Sequence, residues 1–271
     1  MSGSDIILFL GIGNIGDKYV NTRHNAGFMM IDAMSEFMNN NSNFMRGGSS
    51  SSSKFFGDVE TFSIKSEYAD KIGASKIILA KPSTYVNLSG KMAGALKSFY
   101  KIPNANIFVI QDDVNIGCGK IKFVTGGGSG GHNGIKSTDE CLGGTDYWRI
   151  RLGVGVGGSY AVKVGVDFAI TATESESGES GEENDAPTKM YKLEDFVLGR
   201  FSDSEMTVLQ MQFDILCCKK GIEKIISRDA KNLSQICNQI ACAFKPKKSK
   251  PKREEAKQSQ TTNQAANDGA N

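Results

Sequence analysis

A single-domain α/β fold, with one mixed and mostly parallel sheet flanked by helices, follows from three observations. Short buried apolar runs recur over the first 156 residues of the 271-residue chain, as at residues 6–10 and 107–110. Segments of helical periodicity alternate with them. The runs stop abruptly on glycine-rich or acidic polar loops, the edge where open α/β sheets collect ligand-binding groups.

The first run, Ile6-Ile7-Leu8-Phe9-Leu10, reads as a buried strand entering Gly11-Ile12-Gly13-Asn14-Ile15-Gly16. Helical spacing begins near Phe28 and continues through Met29, Ile31, Met34 and Phe37. Residues 39–53, rich in Asn, Ser and Gly, offer no apolar face and are expected to be a disordered insertion. Strands are expected at residues 55–62 and 76–80, then a loop through Tyr85 and Asn87 and a helix capped by Ser89. The run at 107–110 ends on Gln111-Asp112-Asp113, and a strand at 120–125 leads into Gly126-Gly127-Gly128-Ser129-Gly130-Gly131-His132-Asn133-Gly134 and a short helix. Alternation from Trp148 to Val156 predicts a strand with one buried face, carrying Arg149 and Arg151 on the other. After an acidic low-complexity segment, Phe196 to Phe201 restores order. Ser202 and Glu205 then form a capping-box pattern before a long amphipathic helix that Gly221 is expected to interrupt. The expected organisation is one domain over residues 1–244, with disordered insertions at about 39–53 and 174–188, and a disordered tail over 245–271, basic at its start.

Composition excludes several classes. At 39% hydrophobic residues the chain buries a real core, and its apolar runs fall far short of the roughly 20 residues that cross a bilayer. Six cysteines without a CxxC pair or a nearby histidine read as reduced thiols, not as a zinc site or a disulfide framework. No signal or transit pattern precedes the first strand, so a cytoplasmic protein is expected. The formal charge of +2 conceals segregation: six acids and no base in 174–185, against seven bases and two acids in 245–257. A polyanionic partner is therefore compatible with near-neutrality.

Gly11, Gly13 and Gly16 fit a dinucleotide-binding GxGxxG after a strand. That chemistry needs a helix amino terminus directly after the third glycine to hold a pyrophosphate, and here residues 17–25 are polar and aperiodic. The glycines are read as turns at an active-site rim. The chain has only two histidines, His24 and His132, both in strand-terminal polar loops, with Asp112 ending a third strand at the same edge. A lone histidine is more often structural, but a histidine backed by a carboxylate is a general base. No GxSxG elbow occurs, and no cysteine has a nucleophile's setting, which leaves water activated directly by histidine as the simplest chemistry. Asn14, Asn87 and Asn133 recur in the same loops; each alone suits a turn, while together they offer uncharged clamps for water, a peptide backbone or an oxyanion. Lys120, Lys122, Lys136, Arg149 and Arg151 are candidates for gripping phosphates, the arginines more so than the isolated lysines.

These blocks, in this order, resemble the bacterial-type peptidyl-tRNA hydrolases from Ile6 to about Val208. The resemblance is carried by Gly11 to Gly16, Tyr19, Thr22-Arg23-His24-Asn25-Ala26-Gly27-Phe28, and Lys81-Pro82-Ser83-Thr84-Tyr85-Val86-Asn87-Leu88-Ser89-Gly90. It continues through Gln111-Asp112-Asp113, Gly130-Gly131-His132-Asn133-Gly134-Ile135-Lys136-Ser137, Arg149 to Gly155, and Phe196 to Phe201. It implies a monomeric cytoplasmic enzyme, needing no cofactor, metal or membrane, that cleaves the ester joining a peptide to tRNA during translation. By that pattern His24 is the general base, Asp112 orients it, and Asn14 helps place water and the histidine. Asn87 and Asn133 bind the peptide-ester end, with Tyr19 and Tyr85 lining the site and Lys122, Arg149 and Arg151 holding tRNA phosphates.

There are departures: Val86 stands where the family usually carries Met, Gln111 where it often carries His, and Val124 at a place that is often basic. Because some plant organelle relatives serve in intron splicing, the alternative is a non-catalytic RNA-binding protein on the same scaffold. The basic tail reads either as a solvated end or as a point of tRNA or ribosome contact.

Overall fold

The computed structural model describes residues 5–155, 159–164, 167–172, 189–229 and 234–235. Ten strands and seven α-helices are formed among these residues: β1 (Ile6–Gly11), α1 (Ala26–Asn39), β2 (Phe44–Ser52), β3 (Gly57–Ile64), α2 (Ser66–Ile72), β4 (Lys76–Pro82), α3 (Gly90–Tyr100), β5 (Ile107–Gly117), β6 (Ile121–Thr125) and α4 (Asn133–Leu142). They continue with β7 (Trp148–Gly155), β8 (Ser159–Val164), β9 (Asp167–Ala172), β10 (Lys189–Lys192), α5 (Leu193–Leu198), α6 (Asp203–Leu216) and α7 (Lys219–Ile226).

Seven strands make one mixed sheet in the order β2-β3-β4-β1-β5-β7-β6. The central four, β4-β1-β5-β7, are parallel to one another, while β2, β3 and β6 pair antiparallel at the two margins. The predicted α/β fold is the one observed. Alternate residues of the central strands supply two cores, as strand geometry requires. Phe9, Phe108, Ile110, Ile150 and Leu152 pack under α1, α6 and α7, while Leu8, Leu10, Val109 and Ile107 pack under α3 and α4. Covering both faces of parallel strands explains why residues 6–10 and 107–110 read as unbroken apolar runs.

Position 27 fixes how α1 approaches the sheet. A Cβ on Gly27 would lie 2.5 Å from the carbonyl oxygens of both Ile110 and Ile12, and a Cβ on Gly11 would lie 2.5 Å from the Gly27 oxygen. Backbone atoms cannot swing aside, so only glycine lets the first turn of α1 rest on the carboxyl ends of β1 and β5. The same contact seats the turn that precedes α1 directly above those strand ends.

Three expectations are corrected, and the reading of the glycine-rich turn agrees with the structure. Residues 39–53 are ordered: α1 runs to Asn39, and β2 pairs with β3 over Phe44 to Ser52 with a bulge between Arg46 and Gly48. Phe44, buried beneath Phe37 and Tyr68 at ring separations of 6.0 and 5.7 Å, anchors one end. The rest is exposed and held by main-chain pairing, which a side-chain pattern does not reveal. Ser89 makes no side-chain cap; Ser137 Oγ instead accepts from the Gly90 amide at 3.1 Å. The break between α6 and α7 falls at Cys217 and Cys218, not at Gly221, whose Cβ would meet the Ile215 oxygen at 2.2 Å. After Gly16, which has φ +102°, come 3-10 turns and no α-helix until Ala26, so the GxGxxG stretch has no helix terminus for a pyrophosphate. The capping box on α6 is present as expected. The small antiparallel sheet β10-β9-β8 was not anticipated. The acidic segment 174–185 and the tail 245–271 lie outside the described residues.

Replacing Gly27 with Ala should destabilise the fold by about 1–3 kcal/mol, the usual cost of overpacking a closed contact. Thermal unfolding checks this, and an unchanged melting temperature would show that α1 can back away from the strands.

Candidate active site

The carboxyl ends of β1 and β5 open into a cleft of about 550 Å³ lined by Asn14, Tyr19, His24, Tyr85, Asn87, Asp112, His132 and Asn133, among others. At its floor one carboxylate oxygen holds two imidazoles. Asp112 Oδ1 lies 2.8 Å from His24 Nδ1 and 3.0 Å from His132 Nε2, and the two rings sit 5.1 Å apart. Asp112 is delivered by β5 and is 2% exposed. His24 comes from the 3-10 turn Arg23–Asn25 that leads into α1, and His132 from the N-cap of α4.

The hydrogen bonds assign the ring protons. The Gly134 amide donates to His132 Nδ1 at 3.1 Å, so a neutral His132 carries its proton on Nε2 and donates to Asp112. His24 donates from Nδ1 to the same oxygen, which leaves Nε2 bare, and no hydrogen bond within the described residues reaches it. An imidazole in that tautomer, with its lone pair toward a cleft, is a general base. Burial opposes charge on both partners, but their mutual attraction outweighs it. Asp112, facing His24 and His132, is held well below the usual carboxylate range, and the Asp112 charge lifts His24 above its ordinary 6.5.

His24, Asp112 and His132 also bring one potential metal-ligand atom each within 4.8 Å of one another. Metal bound at His132 Nε2 would move the ring proton to Nδ1, against the Gly134 N–H that points there. The three groups fit a proton-holding arrangement better than a metal set.

Asn14 is also pre-set. Its Oδ1 accepts from the Val86 amide at 3.1 Å, so its NH2 is the part left for the cleft. Its backbone is gripped by Asn25, whose Oδ1 accepts from Asn14 N at 2.7 Å and whose Nδ2 donates to Asn14 O at 3.0 Å. Val86 thus serves the site through a main-chain N–H, which a Met-to-Val departure leaves intact. Asn87 and Asn133 are exposed at the cleft rim, Tyr85 is 55% exposed beside them, and Tyr19 is half-buried.

Gln111, Arg151 and Lys122 stand opposite one another across β5, β7 and β6, on the face away from Ile150 and Leu152. Arg151 bonds Asp113, with its Nε 2.5 Å from Asp113 Oδ2, and remains 29% exposed. Val124 stands opposite Arg149 on the same face. Arg149, expected to hold phosphate, lines the cleft but is 5% exposed, and its guanidinium donates to the carbonyls of Gly126, Gly127 and Gly128. With positive φ at Gly126 and Gly127, the loop wraps back over β7, and Arg149 braces it. Lys120, Lys122 and Lys136 do not line the cleft.

Comparison with known proteins decides the family. A family profile described as Peptidyl-tRNA hydrolase matches residues 8–179. The chain belongs to the peptidyl-tRNA hydrolase family. Among its relatives, the peptidyl-tRNA hydrolase of Campylobacter concisus is 38% identical over 229 residues, covering 84% of this chain and 93% of the relative. That of Rickettsia bellii is 34% identical over 215 residues, covering 77% and 88%. The crystal structure of peptidyl-tRNA hydrolase from Acinetobacter baumannii superposes with a TM-score of 0.61 at 23% identity, covering 88% of this chain and 97% of that one, which supports the fold.

Sequence reasoning brought His24, Asp112, Asn14, Asn87 and Asn133 into one cleft, but gave His132 no role at Asp112 and missed Asn25. The rarity of histidine pointed to His132; only the backbone contacts reveal Asn25. In nitrogen-resolved NMR, His24 should carry its proton on Nδ1 and titrate above 6.5, and Asp112→Asn should lower that value. A wild-type His24 titrating at or below 6.5 would contradict the shared-carboxylate geometry.

Proposed function

We propose that the protein hydrolyses the ester bond of peptidyl-tRNA, releasing tRNA and peptide, with His24 as the general base. The observation that carries this is the fixed His24–Asp112 contact, which leaves Nε2 bare in a cleft rimmed by three asparagines, on a chain of the peptidyl-tRNA hydrolase family. A water held between His24 Nε2 and the Asn14 amide loses a proton to the imidazole as its oxygen attacks the ester carbonyl. The carbonyl becomes a tetrahedral oxyanion, for which the carboxamides at the rim are donors. Its collapse breaks the bond to the ribose oxygen, which takes the proton back from the imidazolium. Asp112 stabilises that imidazolium without becoming protonated. Asn87 and Asn133, with Tyr19 and Tyr85, hold the peptide and the terminal nucleoside.

Lys122 and Arg151 grip backbone phosphates without reading bases, as an enzyme serving many tRNAs requires. The basic segment 245–257 adds to that grip as a tRNA contact. A splicing-type binding role without chemistry has no use for a base whose tautomer is fixed by its neighbours.

Turnover of an N-acetylated aminoacyl-tRNA tests the base. His24→Ala should lose about 10²- to 10⁴-fold in kcat, the usual contribution of a general base, and full activity in this variant would refute the assignment. Asp112→Asn should lower kcat while leaving tRNA affinity nearly intact.

The grip has its own measurement, the salt dependence of tRNA binding. Arg151→Gln should reduce the slope of log K against log salt by about 1, and cutting the chain after Phe244 should flatten it further. An unchanged slope after the cut would show that the tail does not touch tRNA.

A further inference from the structure

Arg23, the residue before His24, does not line the cleft, yet both of its terminal nitrogens are engaged. Its Nη2 makes a two-pronged ion pair with Glu205 at 3.0 and 2.9 Å, and Nη1 donates to the Arg200 carbonyl at 3.0 Å. The guanidinium lies over the ring of Phe196 at 4.5 Å and near that of Phe201 at 5.6 Å. The pair is only 13% and 20% exposed. Main-chain bonds run alongside: Arg23 N to the Gly199 oxygen and Phe201 N to the Asn21 oxygen, both 3.0 Å. Glu205 is itself held, because it closes the capping box with Ser202 at the start of α6.

We infer that Arg23 is a positioning residue for the esterase reaction: locked to Glu205 and the two phenylalanines, it fixes the turn that aims His24 at Asp112. The inference rests on the reading of His24 as the base. The physical reason is leverage. A 3-10 turn of three residues has little rigidity of its own. Here its first residue is clamped to α6 and its third, Asn25, to Asn14, so the middle residue has one orientation. Nη2 held by the Glu205 carboxylate and Nη1 by the Arg200 carbonyl fasten the guanidinium at two nitrogens, which restricts its plane as a single contact would not. Seen this way, Phe196, Phe201 and the α6 cap, although they do not line the cleft, belong to the apparatus that orients the base.

Two variants test this together, Arg23→Gln and Glu205→Gln. Glutamine at 205 still suits a capping box, so that change removes the ion pair and spares the helix start. Each should lower kcat on N-acetylated aminoacyl-tRNA by about tenfold to a hundredfold, the scale expected of a misplaced catalytic group, with KM within about twofold of wild type. The double variant should lose no more than the worse single one. The NMR pKa of His24 should fall in both, because the ring leaves Asp112. Removing a cation and removing an anion would by their fields alone move that pKa in opposite directions, so a common fall reports geometry. Wild-type kcat in a folded Glu205→Gln, or shifts of opposite sign, would overturn the inference. Activity in His24→Ala would instead overturn the reading beneath it and take this inference with it, whereas an inactive His24→Ala beside unaffected Arg23 and Glu205 variants would remove this inference alone.

Discussion

One carboxylate oxygen organises the site. Asp112 Oδ1 accepts from both histidines of the chain, and each needs that oxygen for a different reason. His132 spends its proton on Asp112 because its other nitrogen is taken by a backbone amide. His24 also spends its proton there, and because it has no second hydrogen-bond partner among the described residues its remaining lone pair is available to chemistry. Were Asp112 absent, His24 would have no defined tautomer, while the Gly134 amide would still hold the proton of a neutral His132 on Nε2.

Holding a buried carboxylate ionised in this way requires the surrounding fold to be rigid. Asp112 sits on a central parallel strand covered on both faces, so its backbone has nowhere to move. Gly27 lets α1 press on the same strand ends, and the turn before α1 is fastened at Arg23 and at Asn25. His24 is therefore positioned by packing and hydrogen bonds from three directions. Arg149 does comparable work on the other side, tying the glycine loop that leads to His132. Uncharged asparagines complete the rim, which suits a reaction in which negative charge appears only in passing.

The sequence was most legible where side chains carry the information. Unbroken apolar runs gave the buried strands β1 and β5, and polar residues at their ends gave Asp112, His24 and the asparagines. It was least legible where the backbone does the work. β2 is nine residues of mostly Gly and Ser held by ladder bonds, and Asn25 grips main-chain atoms, so neither has a pattern in residue type. Arg149 and Arg151 occupy equivalent places in an alternating strand, yet one folds into glycine carbonyls and the other meets Asp113 at the cleft. Only the path of the loop from Gly126 to Gly131 distinguishes them. Membership in the family supplied the reaction; the tautomers, and with them the reason His24 and not His132 is proposed as the base, required the three-dimensional hydrogen bonds.

The central claim is that Asp112 makes His24 the base by holding its proton on Nδ1. The pH dependence of kcat/KM for wild type and Asp112→Asn tests it most directly. A base must be unprotonated to act, so activity rises as pH climbs through the His24 pKa. With that pKa lifted by Asp112, the wild-type acidic limb should lie above 6.5, and in Asp112→Asn it should shift to lower pH while the plateau drops. A limb at the same pH in both proteins, or a wild-type rate that does not fall on the acid side, would contradict the account.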